Sequence, residues 1–294
     1  MNGNVVTEYL RSDVLEKAVA ETCGLKMALT VHKSIDSTNS WAMQQCKQDK
    51  AMPFACFAES QTMGKGRRGK CWYMPANSNI AMTVCWPFER SGLQLHLLPI
   101  SIALAIVETL EGLNIGEVQI KWPNDVYVQE KKIAGILIEA QAIRGRLMDE
   151  KSINNSCLKK NQLAVVIGVG LNFDMSSLNL GDADILPAFT DIESEMVKQR
   201  VEHKVNREEV ASALLQNVVS TCQYFQQNAE KNLQQFYARY DYCKDKVVDI
   251  RFDNGDILSG IARGVNENAE LMVEINGKSR VFNSVDVSVK TNLK

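Results

Sequence analysis

VQIKWPNDVYVQEKKIAGILIEAQ, residues 118–141, is the stretch whose reading decides the fold. Three short apolar runs, VQIKW (118–122), VYVQ (126–129) and KIAGILIEAQ (132–141), follow one another, with Pro123–Asn124 turning the chain after the first. Glu130 and Lys131 leave room only for a tight connection between the second and third, so this pair reads as a β-hairpin. Hairpins set beside helical stretches favour an α+β chain over a doubly wound parallel sheet.

Working upstream, Pro99 opens a helix whose apolar positions recur through Leu110. NIAMTVCW (79–86) and FACFAE (54–59) read as buried strands, with Pro87 as a break after the first. A strand over 27–35 leads into Ser37-Thr38-Asn39, any of which suits the N-cap of a following helix, WAMQQCKQ. Residues 11–22 read as a short helix. Downstream, LAVVIGVGLNF (163–173) is a strand whose glycines let something approach its backbone closely. Residues 143–162 are polar and read as a mobile loop. Residues 206–240 read as helical, with Val210, Leu214, Leu215, Val218 and Val219 on a common face. After Tyr242 the chain changes character. KVVDIRF, DILSGIARGV, ELMVEIN and SRVFNSVDVSV are short strands between Asn/Asp/Gly turns, the spacing of a small β-barrel. The expected units are therefore 1–241 and 242–294.

Composition excludes several classes. A net charge of −2 over 294 residues and a pI near 6.0 lack the electrostatic footprint of a nucleic-acid binder, so no DNA partner is expected. The longest apolar run, 97–107, is interrupted by Pro99 and Ser101, and no basic-then-apolar leader opens the chain, so no membrane association is expected. Eight cysteines without a C-x-x-C pair or zinc spacing read as reduced thiols of a cytoplasmic protein.

Against that mild background GKGRRGK (64–70) stands out, with three glycines and four cations in seven residues. It satisfies the dinucleotide fingerprint on paper, but the residues after Gly69 describe a loop rather than a helix. It nearly satisfies the nucleotide loop G-x-x-x-x-G-K-[ST], but Cys71 stands where a magnesium-binding hydroxyl belongs. What remains is a flexible basic loop. Its glycines let backbone N–H groups reach an anion, and Arg67 and Arg68 each offer a planar fork to phosphate or carboxylate. The loop on its own equally fits a solvated basic turn.

IDSTN (35–39), the basic loop, KWPND (121–125), KIAGIL (132–137) and GVGLN (168–172) occur in one order. Together they resemble the biotin protein ligase family, from about residue 30 to the C-terminus. The resemblance implies a mixed sheet flanked by helices, like the catalytic domain of class II aminoacyl-tRNA synthetases, with an SH3-like C-terminal barrel. It implies ATP-dependent formation of biotinyl-5′-AMP, then transfer of biotin to a lysine of a biotin carboxyl carrier protein, with Mg²⁺ bridging phosphates. By family position Lys132 and Arg67 are catalytic. Ser37, Thr38, Asn39, Gln61, Lys65, Gly66 and Gly135 join them around biotin, and Arg68, Trp72, Asn124 and Asn172 lie near the nucleotide. Asp125 either holds Mg²⁺ or orders Lys132.

This chain departs from the family pattern at Lys65 and Lys70, where arginine is common, exchanging a bidentate fork for a point charge. Fewer than about 35 residues precede IDSTN, too few for a winged helix-turn-helix. A ligase-only form, monomeric or weakly dimeric, is the expectation. Lipoate or octanoate chemistry on a related fold, and a biotin-sensing regulator, are the competing readings.

Overall fold

The structure is a computed structural model and describes residues 9–48, 50–142, 162–178, 188–228, 232–283 and 287–291. The expectation of a mobile loop over 143–162 lies outside the described residues, apart from Gln162, which opens a strand.

A seven-stranded mixed sheet forms the centre. Its strands are β1 (Ala28–His32), β2 (Phe54–Ala58), β3 (Ile80–Glu89), β4 (Val118–Lys121), β5 (Asp125–Val128), β6 (Lys131–Ala142) and β7 (Gln162–Leu171). They lie in the order β1-β2-β3-β7-β6-β5-β4. Only β1 and β2 run parallel; the other neighbours are antiparallel. The α+β reading therefore holds, built on the strand cluster at 118–141.

Helices cover the sheet. Among the described residues they are, in chain order, α1 (Ser12–Cys23), α2 (Thr38–Lys47), α3 (Leu98–Gly112), α4 (Ile192–Lys198), α5 (Arg207–Asn228) and α6 (Leu233–Tyr240). By length and composition the stretch Leu95–Gly112 is apolar enough to cross a membrane. Here α3 is the core helix: Leu98, Ile102, Ile106 and Leu110 are fully buried as it packs on α5 and the sheet. Opposite it, α2 lies across β2, β3 and β7 and carries residues 38 and 39 to the sheet.

Four expectations shift. The stretch read as helical over 206–240 divides into two helices, α5 and α6, with Asn232 in a left-handed conformation just before α6 (φ 62°). The strand read as ending before Pro87 continues to Glu89. From Trp86 onward it has β7 alone as partner among the described residues, and proline is tolerated on such an edge. The β5–β6 turn is centred on Gln129 and Glu130 (φ 47° and 68°), one residue earlier than read, because a two-residue hairpin needs both centres left-handed. Helix α4 was not anticipated, although Asp191 caps it by accepting from the Ser194 amide at 2.7 Å.

After Tyr242, β8 (Val247–Phe252), β9 (Ile257–Val265), β10 (Leu271–Ile275), β11 (Lys278–Phe282) and β12 (Val287–Thr291) form a separate antiparallel sheet, ordered β11-β10-β9-β8-β12. Five short twisted strands of this kind fit a small barrel-like unit.

Candidate active site

The register of the central sheet aligns one residue from each of five strands. Ala81 pairs with Gly170, Gly170 with Gly135, Gly135 with Asp125, and Asp125 with Lys121. Directly paired residues share a face, so this is a continuous lane from β3 to the edge strand β4, roughly 19 Å long at ~4.8 Å per strand. Its first three positions lack side chains beyond a methyl group. A cavity of about 580 Å³ lies over the lane, and every residue singled out in the sequence lines it.

At the β3 end, the start of α2 presents Ser37, Thr38 and Asn39, all buried. Ser37 occupies the N-cap position, but its side chain makes no cap bond, so the simple capping reading does not account for it. Gln61 instead organises the turn: its Oε1 accepts from the Thr38 amide at 2.8 Å and from Thr38 Oγ1 at 3.1 Å. Asn39 is held on three sides. Its amide donates to Glu139 Oε2 (2.9 Å) and the Leu137 carbonyl (3.3 Å), and its Oδ1 accepts from Thr83 Oγ1 (2.8 Å). A Cβ on Gly168 would stand 2.1 Å from that Oδ1, so glycine is what lets Asn39 sit against β7.

In the middle, the Lys132 ammonium lies 2.7 Å from Asp125 Oδ1 and 5.2 Å from the Trp72 ring centroid. The indole rests on the glycine lane, and Cβ atoms at Gly170 and Gly135 would stand 2.3 and 3.1 Å from its carbons. Its Nε1 is buried without a hydrogen-bond partner among the described residues. Lys132 is fixed by its backbone as well. Its amide donates to the Ala188 carbonyl (2.9 Å), and its carbonyl accepts from the Thr190 amide (3.0 Å).

The basic loop folds over this centre. The Gly66 amide donates to the Lys70 carbonyl (2.7 Å), the Trp72 amide to the Gly64 carbonyl (2.9 Å), and Arg68 takes φ 56° at the tip. Lys65 and Gly66 flank the cavity from this loop. Arg67 points inward and donates to Asn124 Oδ1 at 3.1 Å; burial lowers its pKa from the usual value. Arg68 reaches across to Asp253, in the β8–β9 turn.

Two predicted asparagines are spent on structure. Asn124 donates to the Ile136 carbonyl (2.7 Å) while accepting from Arg67, and Asn172 donates to the Thr190 (3.0 Å) and Lys132 (3.4 Å) carbonyls. They hold Arg67 and Lys132 in place. Sequence reading missed Glu139 and Thr83 behind Asn39, and Lys121, Arg251 and Lys290 on the cavity wall. Lys121 sits inside KWPND and so was within reach; the two C-terminal cations carry no local signal.

No group of three or more His, Cys, Asp or Glu suited to a metal occurs among the described residues. Asp125, the one metal candidate, already faces the Lys132 ammonium, so the protein's own donors do not fit a resident Mg²⁺. A magnesium carried in on a triphosphate needs no such cage.

Residues 31–157 match the profile of the biotin/lipoate A/B protein ligase family. These residues are a ligase domain of that family. The match starts at β1 and takes in the basic loop and the Lys132 strand. Over 257 residues the chain is 26% identical to the bifunctional ligase/repressor BirA of Escherichia coli, covering 87% of this chain and 72% of that protein. It is 26% identical over 234 residues to the biotin–[acetyl-CoA-carboxylase] ligase of Mycobacterium tuberculosis, covering 78% and 76%. The biotin protein ligase of Aquifex aeolicus, solved with biotin and ATP, shares the fold with a TM-score of 0.67 at 21% identity, over 90% of this chain and 99% of that one. The ligase domain thus sits in an architecture that extends through the C-terminal sheet.

Proposed function

We infer that the chain is an ATP-dependent biotin protein ligase, which forms biotinyl-5′-AMP in this cavity and then passes biotin to a lysine of a biotin carboxyl carrier protein. The observation that carries the reading is the junction, on one glycine-floored lane, of a polar cluster (buried Ser37 and Thr38 with half-buried Gln61) with inward-facing cations (Arg67, Lys132). The polar cluster suits a ureido ring, which both donates and accepts hydrogen bonds. The cations answer the physical difficulty of the first step. A carboxylate and a triphosphate repel, and positioned positive charge lets them meet in line.

Relatives named as biotin–[acetyl-CoA-carboxylase] ligases support a carboxylase carrier as acceptor. Mg²⁺ arrives as the ATP complex in this reading, Asp125 serves to orient Lys132, and the indole of Trp72 offers a face for adenine. Further parts of the proposal are a catalytic unit at 1–241, a companion barrel at 242–294, action in the cytoplasm as a monomer or weak dimer, and no DNA partner. Seven described cysteines, all free thiols, support a reducing setting.

Biotin-dependent exchange of pyrophosphate into ATP tests the function. The wild type should show it, and Lys132→Ala should lower it by about 10²–10³-fold, as removal of one preorganised charge-stabilising group does. Exchange supported by lipoate or octanoate but not biotin would overturn the substrate assignment. Near-normal exchange by the variant would overturn the role of Lys132.

A further inference from the structure

The glycine lane ends on a cation that the proposed chemistry has not used. Lys121 pairs in register with Asp125 at the edge of the sheet and lines the same cavity. Asp125 is engaged by Lys132, and no carboxylate among the described residues lies within ion-pair distance of Lys121. Its ammonium instead stands over two tyrosine faces, 5.2 Å from the Tyr127 ring centroid and 5.6 Å from that of Tyr242. The two rings pack against each other at 4.8 Å, and Lys246 covers Tyr242 at 3.7 Å. The Tyr242 hydroxyl and Lys246 are tied to Glu130, the lysine at 2.7 Å. This assembly fixes Lys121 from behind. Burial lowers its pKa; the nearby Cys243 and Asp125 partly offset this, while Lys132 and Lys70 lie near enough to add repulsion.

A half-buried cation beside two like charges, whose one nearby carboxylate among the described residues, Asp125, is already paired with Lys132, is unfavourable in the empty cavity. It becomes favourable when an anion arrives. The reaction geometry says which one. The polar cluster places biotin at the β3 end, and its carboxylate reaches Lys132 and Arg67 mid-lane. A carboxylate oxygen then forms a bond to the α-phosphorus while the bond from that phosphorus to the bridging oxygen breaks. The electron pair of that bond leaves with pyrophosphate. Attacking and leaving oxygens lie roughly in line, so the leaving group emerges on the side away from biotin, toward β4. We propose that Lys121, assisted by Lys70 of the basic loop, binds the pyrophosphate leaving group and stabilises its developing charge. The inference rests on the ligase reading above, which leaves this end of the cavity unassigned.

The test separates the two half-reactions in the full-length chain. Lys121→Met keeps the aliphatic stem on the tyrosines and removes the charge; Lys121→Arg keeps the charge. The first readout is the KM for pyrophosphate in biotin-dependent exchange. The second is transfer of biotin from preformed biotinyl-5′-AMP to an unmodified carrier domain, in which pyrophosphate takes no part. Lys121→Met should raise the pyrophosphate KM at least tenfold and lower the ratio of adenylation to transfer rates by a similar factor, with Lys121→Arg restoring much of both. A pyrophosphate KM within twofold of wild type, or a parallel fall in both half-reactions, would overturn the proposal, since misfolding or a purely structural role affects the two alike. Absence of biotin-dependent exchange in the wild type would instead sink the ligase reading, a result distinct from either.

Discussion

Trp72 shows what a single residue gains from its setting. Alone it reads as a core aromatic, yet it lies on a floor from which two strands have removed their side chains. Gly170→Ala would place a methyl group 2.3 Å from the ring and force it to shift. The cost should be about 1–3 kcal/mol of stability, typical of overpacking. If Trp72 is the adenine platform, the KM for ATP should rise several-fold while that for biotin moves much less; equal changes in both would argue against it. The strand glycines announced in the sequence that something approaches β7 closely, and the structure supplies the partners, the indole at Gly170 and Asn39 at Gly168. The duties of Asn39, Asn124 and Asn172 were not legible. Their hydrogen-bond partners lie far off in sequence, as with Asn39 and Glu139, and no local spacing encodes such a pairing.

At the scale of elements, the basic loop is the part whose ligand response can be read directly. Lys65, Arg68, Gly69 and Lys70 are exposed, and the loop is held by its own turn and by contacts of Arg67 and Arg68 with Asn124 and Asp253. An acyl-adenylate hydrolyses readily, so a glycine-rich cover that tightens over it would exclude water until the acceptor lysine arrives. Trypsin should therefore cut after Lys65, Arg68 or Lys70 in the free protein, with protection by biotin plus ATP. Equal cutting in both states would refute closure. The strands around this loop were legible because alternation and turn residues are local. The β5–β6 turn slipped by one because Gln129 and Glu130 adopt left-handed backbone without the usual Asn-Gly marker. Helix α4 was missed because it has only seven residues.

At the scale of the molecule, Asp241 is where the two sheets meet. Its Oδ1 accepts from the Cys243 amide (2.8 Å), Tyr237 Oη (3.1 Å) and the Lys244 amide (3.2 Å), and its backbone bridges to Ile120 next to the KWPND turn. Burial raises its pKa above the ordinary 3.8. The folded chain therefore holds this proton more tightly than the unfolded one, and this group's contribution to stability falls as pH rises from 3.8 through the folded value. Asp241→Asn keeps an acceptor oxygen but cannot ionise. The stability of the variant relative to wild type should increase from about pH 4 toward pH 7, read from urea midpoints at each pH. A flat difference across that range would contradict the assignment. The sequence marked the change of character at Tyr242, but not that cations from β8 and β12 would return to the cavity, because packing of one sheet on another leaves no local signature.

That return bears on the order in which a ribosome delivers the chain. Residues 37–39 and the basic loop emerge early and Lys132 midway, while the clamp on its backbone waits for residues 188–190. The last of the cavity wall, Lys290, comes only with β12. Domains fold as units during synthesis, and a nascent chain here carries its basic loop long before the cavity wall is complete. A chain stopped just short of β12 would therefore keep most of its catalytic alphabet and still lack the part of the cavity wall that Val289 and Lys290 supply.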